Sequence, residues 1–317
     1  MAPLTRAVSE MPSVNDILQK LRIDPSAVCQ EIDTLIQTTC ENLKRDGAVV
    51  AVSGGLDSAV TATLTVRALG AENVHLLNFP ERDSKPIHRA HARRLAEGLG
   101  VHLQVKSISP ILRAAGTYRL LPLRFLPFRK LRDWVVEFGQ SKVLADQGQE
   151  ILVDRFQPGG KTFASRAVAY VFAKHRVRML LVYQHAEVHN LMVVGAANRT
   201  EWLTGTFSHW GVDHCADLMP LVHLYRSQLE QLAGYLQVPD FIRLKPADPD
   251  FIPGIKDKGA LLGSFALADQ ILYGLENDVP VDALYEAYGK ENVDKITRLR
   301  DLSAHLRQTP YHLDMSI

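Results

Sequence analysis

Between Pro25 and Arg45 apolar residues recur at helical spacing (Val28, Ile32, Leu35, Ile36, Leu43), and Gly47 ends the stretch. The unbroken apolar run Ala48 to Val52 then reads as a buried strand. A second strand is predicted over Asn73 to Phe79, carried by Val74, Leu76, Leu77 and Phe79 and halted by Pro80. Helix follows from about Ser84 to Gly98, then a third strand, Val101 to Val105. The spacing predicts a long helix over Phe163 to Gln184, a strand over Leu191 to Val194, and helices over Asn198 to Leu203 and Ser227 to Leu236. Helical stretches at about Phe265 to Leu275, Val281 to Tyr288 and Val293 to Leu306 close the chain. Before all of these, residues 1–12 read as a loose arm and Ser13-Val14-Asn15-Asp16 as the cap of a short helix.

Strands alternating with helices imply an α/β fold with a doubly wound parallel sheet, whose ligands bind outside the strands' carboxyl ends. The expected division is an N-terminal arm with helices over 1–46, an α/β nucleotide domain over 47–250, and a helical segment over 251–317 packed on the same domain. An insertion is expected at about 107–160. It holds Pro110, Pro122, Pro127 and Pro158 and a basic, aromatic patch: Arg119, Arg124, Phe125, Phe128, Arg129, Lys130, Arg132 and Trp134. An amphipathic excursion packed on the domain or on a partner subunit is preferred there over an anionic or membrane-surface contact.

With 317 residues and a formal net charge of +1, the chain has material for a large core and no global charge that calls for nucleic acid or a membrane surface. Cys29, Cys40 and Cys215 are far apart and form no C-x-x-C pair, which fits a reducing cytoplasm better than a disulfide framework. The N-terminus has no basic stretch followed by an apolar run, so no signal peptide is expected, and no apolar stretch is long enough to span a bilayer.

Candidate chemistry concentrates first at Ser53-Gly54-Gly55-Leu56-Asp57-Ser58, set between the first strand and a helix beginning near Ala59. Glycines let backbone N–H groups approach phosphate oxygens, and a helix N-terminus adds about half a positive charge. Ser53 and Ser58 offer hydroxyls, and Asp57 can hold a divalent cation against the same phosphates. The pattern is neither the Walker loop nor G-x-G-x-x-G. An ordinary Gly-rich turn is the alternative.

A second region, Gly195 to Gly205, also follows a buried strand. Glu201 there either shares a Mg²⁺ with Asp57 or merely complements the helix dipole. Two smaller signals stay equally open. Pro80-Glu81-Arg82-Asp83 either lines an adenine or ribose pocket or forms an exposed loop ion pair, and Lys245 either reaches a phosphate or is a solvated loop lysine.

Ser53 to Ser58 resembles the SGGxDS loop of the ATP pyrophosphatases, which split ATP between its α and β phosphates. Further segments narrow the likeness: Lys174-His175-Arg176-Val177-Arg178-Met179, Gly195 to Gly205, Ala216-Asp217-Leu218-Met219-Pro220-Leu221 with Tyr225-Arg226-Ser227-Gln228, and His305-Leu306-Arg307-Gln308-Thr309-Pro310. Together they resemble, in order from about residue 47 to 310, the ammonia-dependent NAD synthetases. The resemblance implies a Rossmann-like fold of the adenine nucleotide alpha hydrolase type. It implies a ligase that adenylates a carboxylic acid with ATP and Mg²⁺ and displaces AMP with ammonia. It implies a catalytic set of Asp57, Ser58 and Glu201; ATP contacts by Ser53, Gly54, Gly55, Asp57, Ser58, Arg82, Arg226 and Lys245; and Mg²⁺ held by Asp57 and Glu201. Arg176, His209, Asp217 and His305 fall where the family contacts its acid substrate, and a homodimer is expected.

The chain also departs from the family pattern, and the phosphate and metal apparatus survives better than the acid-substrate pocket. Ala196 and Ala247 stand for family threonines, Phe172 for an asparagine, and His209 and Leu306 for lysines. The Gly211-Val212-Asp213-His214 loop has one residue more before Asp217 than the family pattern, and Lys256-Asp257-Lys258-Gly259 replaces an acidic cluster. No glutaminase portion with its own catalytic cysteine is readable, so nitrogen is expected from free ammonia or a separate ammonia-supplying protein. Three readings remain at this point: an NAD synthetase, a ligase of another acid with the same ATP chemistry, and a non-catalytic nucleotide-binding homologue.

Overall fold

The computed structural model describes residues 13–121, 163–212, 214–245 and 262–308. The basic patch from Arg124 to Trp134, Ala247, and the Lys256 to Gly259 segment lie outside the described residues.

Four short strands, β1 (Gly47–Ala51), β2 (Val74–Asn78), β3 (Leu103–Val105) and β4 (Leu191–Val194), form a parallel sheet in the order β3-β2-β1-β4. Val50 lies opposite Leu76 on one side and Val194 on the other. The helices are α1 (Val14–Lys20), α2 (Pro25–Asn42), α3 (Leu56–Leu69), α4 (Pro86–Gly98), α5 (Ser109–Ala114), α6 (Phe163–His189), α7 (Arg199–Thr204), α8 (Arg226–Tyr235), α9 (Asp240–Arg243), α10 (Phe265–Glu276), α11 (Val281–Tyr288) and α12 (Lys290–Leu302).

Side chains alternate across a strand, and here both faces are covered. Ala48, Val50, Leu76, Met192 and Val194 face Ile32 and Ile36 of α2, Ala59 and Leu64 of α3, and Leu229 and Leu232 of α8. Val49, Leu77, Leu191 and Val193 face Leu112 of α5 and Tyr170, Leu181, Val182 and Ala186 of α6. The sheet is thus doubly wound, as the apolar runs predict. A third apolar cluster joins Ile17 of α1 and Leu21 just after it to Ala268, Ile271 and Leu272 of α10, Leu284 of α11, and Val293, Ile296 and Leu299 of α12. Leu203 of α7 and Tyr225, just before α8, also belong to it.

Several boundaries differ from those predicted. The third strand starts at Leu103, because the Val101 N–H turns back to the Ala96 carbonyl at 3.0 Å and closes α4. The long helix continues past Gln184 to His189; no Gly or Pro interrupts it, and it stops where Asn190 takes a left-handed φ of 51°. The closing helix breaks at Leu302 into a 3₁₀ turn, Ala304–Arg307, that Arg307 pins by donating to the Leu203 carbonyl at 2.9 Å.

Candidate functional site

At the carboxyl ends of the neighbouring strands β1 and β4 a cleft of about 220 Å³ opens. Ser53, Gly55, Asp57 and Ser58 line one wall, with Ala196 and Glu201 beside them. Lys85, His88 and Arg89 from the start of α4, Arg178 from α6, Arg226 from α8 and Lys245 complete a strongly basic lining.

The loop after β1 is held by its own hydroxyls. Ser53 Oγ and Ser58 Oγ are 3.0 Å apart, the Gly55 N–H donates to Ser53 Oγ at 3.2 Å, and Ser58 Oγ donates to the Gly55 carbonyl at 3.1 Å. Gly54 does not line the cleft; it faces α4. Its φ is +85°, and a Cβ there would lie 2.2 Å from the His88 carbonyl oxygen, so only glycine lets the loop pack that closely.

Asp57, on the first turn of α3, accepts from Asn198 Nδ2 at 2.6 Å and from Arg226 Nη1 at 2.9 Å. Asn198 is the N-cap of α7, and its Oδ1 accepts from the Glu201 N–H at 3.0 Å. One amide therefore joins the helix that carries Asp57 to the helix that carries Glu201. Arg226 is almost wholly buried. Burial opposes its charge, but Asp57, Glu230 and Glu201 outweigh that and raise its pKa. Asp269 of α10 supports this corner: it accepts from Thr200 Oγ1 and from the Ser227 N–H at 2.7 Å, tying the C-terminal helices to the site.

The Glu81 to Asp83 segment is neither pocket wall nor exposed loop pair. Lys174, fully buried on α6, donates to Glu81 Oε1 at 2.8 Å and to Asp83 Oδ2 at 3.2 Å. Tyr118 donates to Glu81 at 2.9 Å, and Tyr170 donates to Asp83. Arg82 donates to Asp83 at 3.2 Å and stacks 4.0 Å over the Tyr118 ring, so this predicted ATP contact is engaged behind the cleft and is absent from its lining. Burial pushes the Asp83 carboxyl up, but Lys174, Tyr170 and Arg82 together hold it down at about 2. Burial and Glu81 push the Tyr118 phenol up to about 12.

A model of the family described as NAD synthase matches residues 28–120 and 149–310. The NH(3)-dependent NAD(+) synthetase of Thermotoga neapolitana is 38% identical over 274 residues, covering 86% of this chain and 90% of that protein. The chain belongs to the NAD synthase family. Members are ATP-dependent ligases, and this chain is one of them. Its fold is shared with an NMN synthetase from Francisella tularensis (TM-score 0.67, 23% identity, covering 93% of this chain and 100% of that one). It is shared also with an NH3-dependent NAD synthetase from Campylobacter jejuni (TM-score 0.66, 22% identity, covering 92% and 100%).

Of the residues that the family resemblance singles out, Ser53, Gly55, Asp57, Ser58, Glu201, Arg226 and Lys245 meet in the cleft, where Lys245 contacts His88. The predicted acid-substrate residues do not line it. Arg176 is exposed and donates to the His209 carbonyl at 3.3 Å. Asp217 accepts from Tyr183 at 3.0 Å and from the Val193 N–H at 2.8 Å, which binds it to the edge of β4. His305 is exposed on the closing 3₁₀ turn and contacts the Leu302 carbonyl. Sequence reasoning missed Lys85, His88 and Arg89 in the lining. Their signal is a helix start after the second strand, with positions four apart sharing one face. It also missed the bridging role of Asn198, visible only as an N-cap residue three before Glu201.

Proposed function

We propose that this chain joins ammonia to the carboxyl carbon of nicotinic acid adenine dinucleotide, driven by cleavage of ATP to AMP and pyrophosphate. A carboxylate oxygen of the acid attacks the α-phosphorus; the α–β bridging bond breaks and its electron pair leaves with pyrophosphate. The ammonia nitrogen then attacks the acyl carbon of the adenylate, the bond to AMP breaks, and a proton passes to solvent. Such displacements need alignment and charge neutralisation more than a protein nucleophile.

The supporting observation is the convergence of the residue-53 loop, Asp57, Glu201 and Arg226 in one basic cleft. Backbone N–H groups from 53 to 58 and the hydroxyls of Ser53 and Ser58 take the β and γ phosphates. Arg226, Arg178, Lys85 and Lys245 spread positive charge along the same path. Asp57 and Glu201 are hard oxygen donors on neighbouring walls, a set that fits Mg²⁺. When bound, the ion supplies charge neutralisation on the departing diphosphate. Arg176, His209, Asp217 and His305 are read as acid-substrate contacts, with the chain acting as a cytoplasmic homodimer. Residues 47–250 are read as the nucleotide domain and 251–317 as a segment belonging to it, whose described helices lie within 262–308.

A second reading, amidation of a different acid, is favoured by Asp217, whose two carboxylate oxygens are both engaged by the protein itself. One assay separates the two. Purified protein with ATP, Mg²⁺, ammonia and nicotinic acid adenine dinucleotide should yield AMP and NAD in equal amounts, and Asp57→Asn should slow pyrophosphate release by about a hundredfold or more. AMP formation only with another acid would establish the second reading, and no AMP with any acid would refute both. Light scattering at working concentration tests the dimer.

A further inference from the structure

Three imidazoles converge away from the nucleotide cleft, on the α6 side of the sheet. His185 and His189 stand four residues apart on the last turns of α6 and so share one helix face. His75 lies on β2 opposite Val49, and points to the same side of the sheet as Leu77 and Val49, which is the side α6 covers. His75 Nδ1 is 2.8 Å from His185 Nε2, and one ring nitrogen from each of the three lies within 4.8 Å of the others. Ring centroids are 5.1 Å apart for His75 and His185, 5.2 Å for His75 and His189, and 4.4 Å for His185 and His189.

Nothing in the proposed ATP chemistry uses this cluster. Two of the rings sit in the wall of a second cleft of about 210 Å³, which also holds Gln104, Lys106, Gln184 and Val188. His75 and His185 are half-buried and His189 is exposed, and any two of these rings that both protonate repel. His75 and His185 already meet at hydrogen-bond distance, and His189 brings a third ring nitrogen to the same point.

We propose that His75, His185 and His189 form a binding site for a borderline d-block dication, Zn²⁺ being the natural occupant. Imidazole nitrogens suit Zn²⁺, Ni²⁺ and Cu²⁺, whereas Mg²⁺ and Ca²⁺ require oxygen ligands. Tetrahedral zinc with bonds near 2.0–2.1 Å sets its nitrogens about 3.3 Å apart, so small rotations of side chains already within 4.8 Å of each other suffice. Three protein ligands leave a fourth position that water fills from the second cleft. The Lys106 ammonium near His185 disfavours a cation, but it is exposed and screened by water. The bound ion would clip the end of α6 to β2. Both elements also furnish the nucleotide cleft, α6 with Arg178 and the chain after β2 with Phe79 and Pro80.

The test uses the full chain, free of any affinity tag and stripped with EDTA, with no nucleotide present. It therefore reads the site independently of the proposed ligase activity. Zn²⁺ is titrated against a chromophoric chelator, and Co²⁺ is followed by its visible absorption. One equivalent of Zn²⁺ withdrawn from the dye, Co²⁺ bands of tetrahedral intensity and a rise of several degrees in melting midpoint with Zn²⁺ but not Mg²⁺ are expected. His189→Gln, at an exposed position, and His185→Gln should each lose the Zn²⁺-dependent rise while melting like the parent in EDTA. Absence of stoichiometric binding, or binding unchanged in both variants, would overturn the assignment.

Discussion

Asn198 Nδ2 lies 2.6 Å from Asp57 Oδ1, although the two residues are 141 positions apart in the chain. The same amide caps α7 through the Glu201 N–H, so the proposed metal-binding acids are positioned by one side chain that is itself fully buried. Asn198→Asp keeps an oxygen cap but sets a second carboxylate against Asp57. Stability should change little from the capping side, while pyrophosphate release falls about tenfold or more, because like charges in contact draw in a proton or push Asp57 aside. Asn198→Ala loses the cap as well and should cost about 1 kcal/mol in urea unfolding. Full activity in Asn198→Asp would show that Asp57 needs no donor there.

Arg226 reaches Asp57 through Nη1 and Glu230 through Nε at 3.2 Å, a division only a guanidinium can make. Arg226→Lys retains charge but reaches one acid at a time, and should raise the KM for ATP by about tenfold with a smaller effect on kcat. Arg226→Met should lose both. Equal kinetics for the two variants would mean that the charge at this position is not used on the nucleotide.

Gly54→Ala places a methyl group against the His88 carbonyl at a positive φ. The loop and α4 cannot both keep their places, so the expected cost is about 1–3 kcal/mol of stability together with loss of ATP binding. Calorimetric titration with ATP beside thermal melts checks it. Normal affinity would show that the loop can shift away from α4 and still grip phosphate.

The parallel sheet was legible because β1 and β4 are unbroken apolar runs and all four strands alternate with helices, and the residue-53 loop stood out because its glycines and hydroxyls fall at fixed offsets from β1. Glu201 was legible as a carboxylate on a first helical turn after a strand. What was not legible lives in contacts across long separations. Nothing local in Glu81-Arg82-Asp83 says that Lys174, more than 90 positions later, will draw the two acids inward. Nor does any helical periodicity reveal that Asp217 will turn back onto β4 and leave the cleft, since one bend after Cys215 decides it.

That buried group carries the last prediction. Asp83 titrates at about 2, below the 3.8 of an unfolded aspartate, so folding favours its ionised form. The stabilisation, roughly 2 kcal/mol, is complete above about pH 4 and is lost as pH falls toward 2. Lys174→Met removes the charge that does most to hold Asp83 ionised, while burial, which acts the other way, persists. Stranding buried carboxylates costs about 3–5 kcal/mol at pH 7. It also reverses the sign of the linkage, because a carboxyl whose pKa is raised on folding gains stability as it is protonated. The difference in urea midpoint between parent and Lys174→Met should therefore narrow between pH 7 and 5. A gap that stays constant across that range would place the cost in lost packing around the lysine stem, with the carboxylates still neutralised by Arg82 and the two tyrosines.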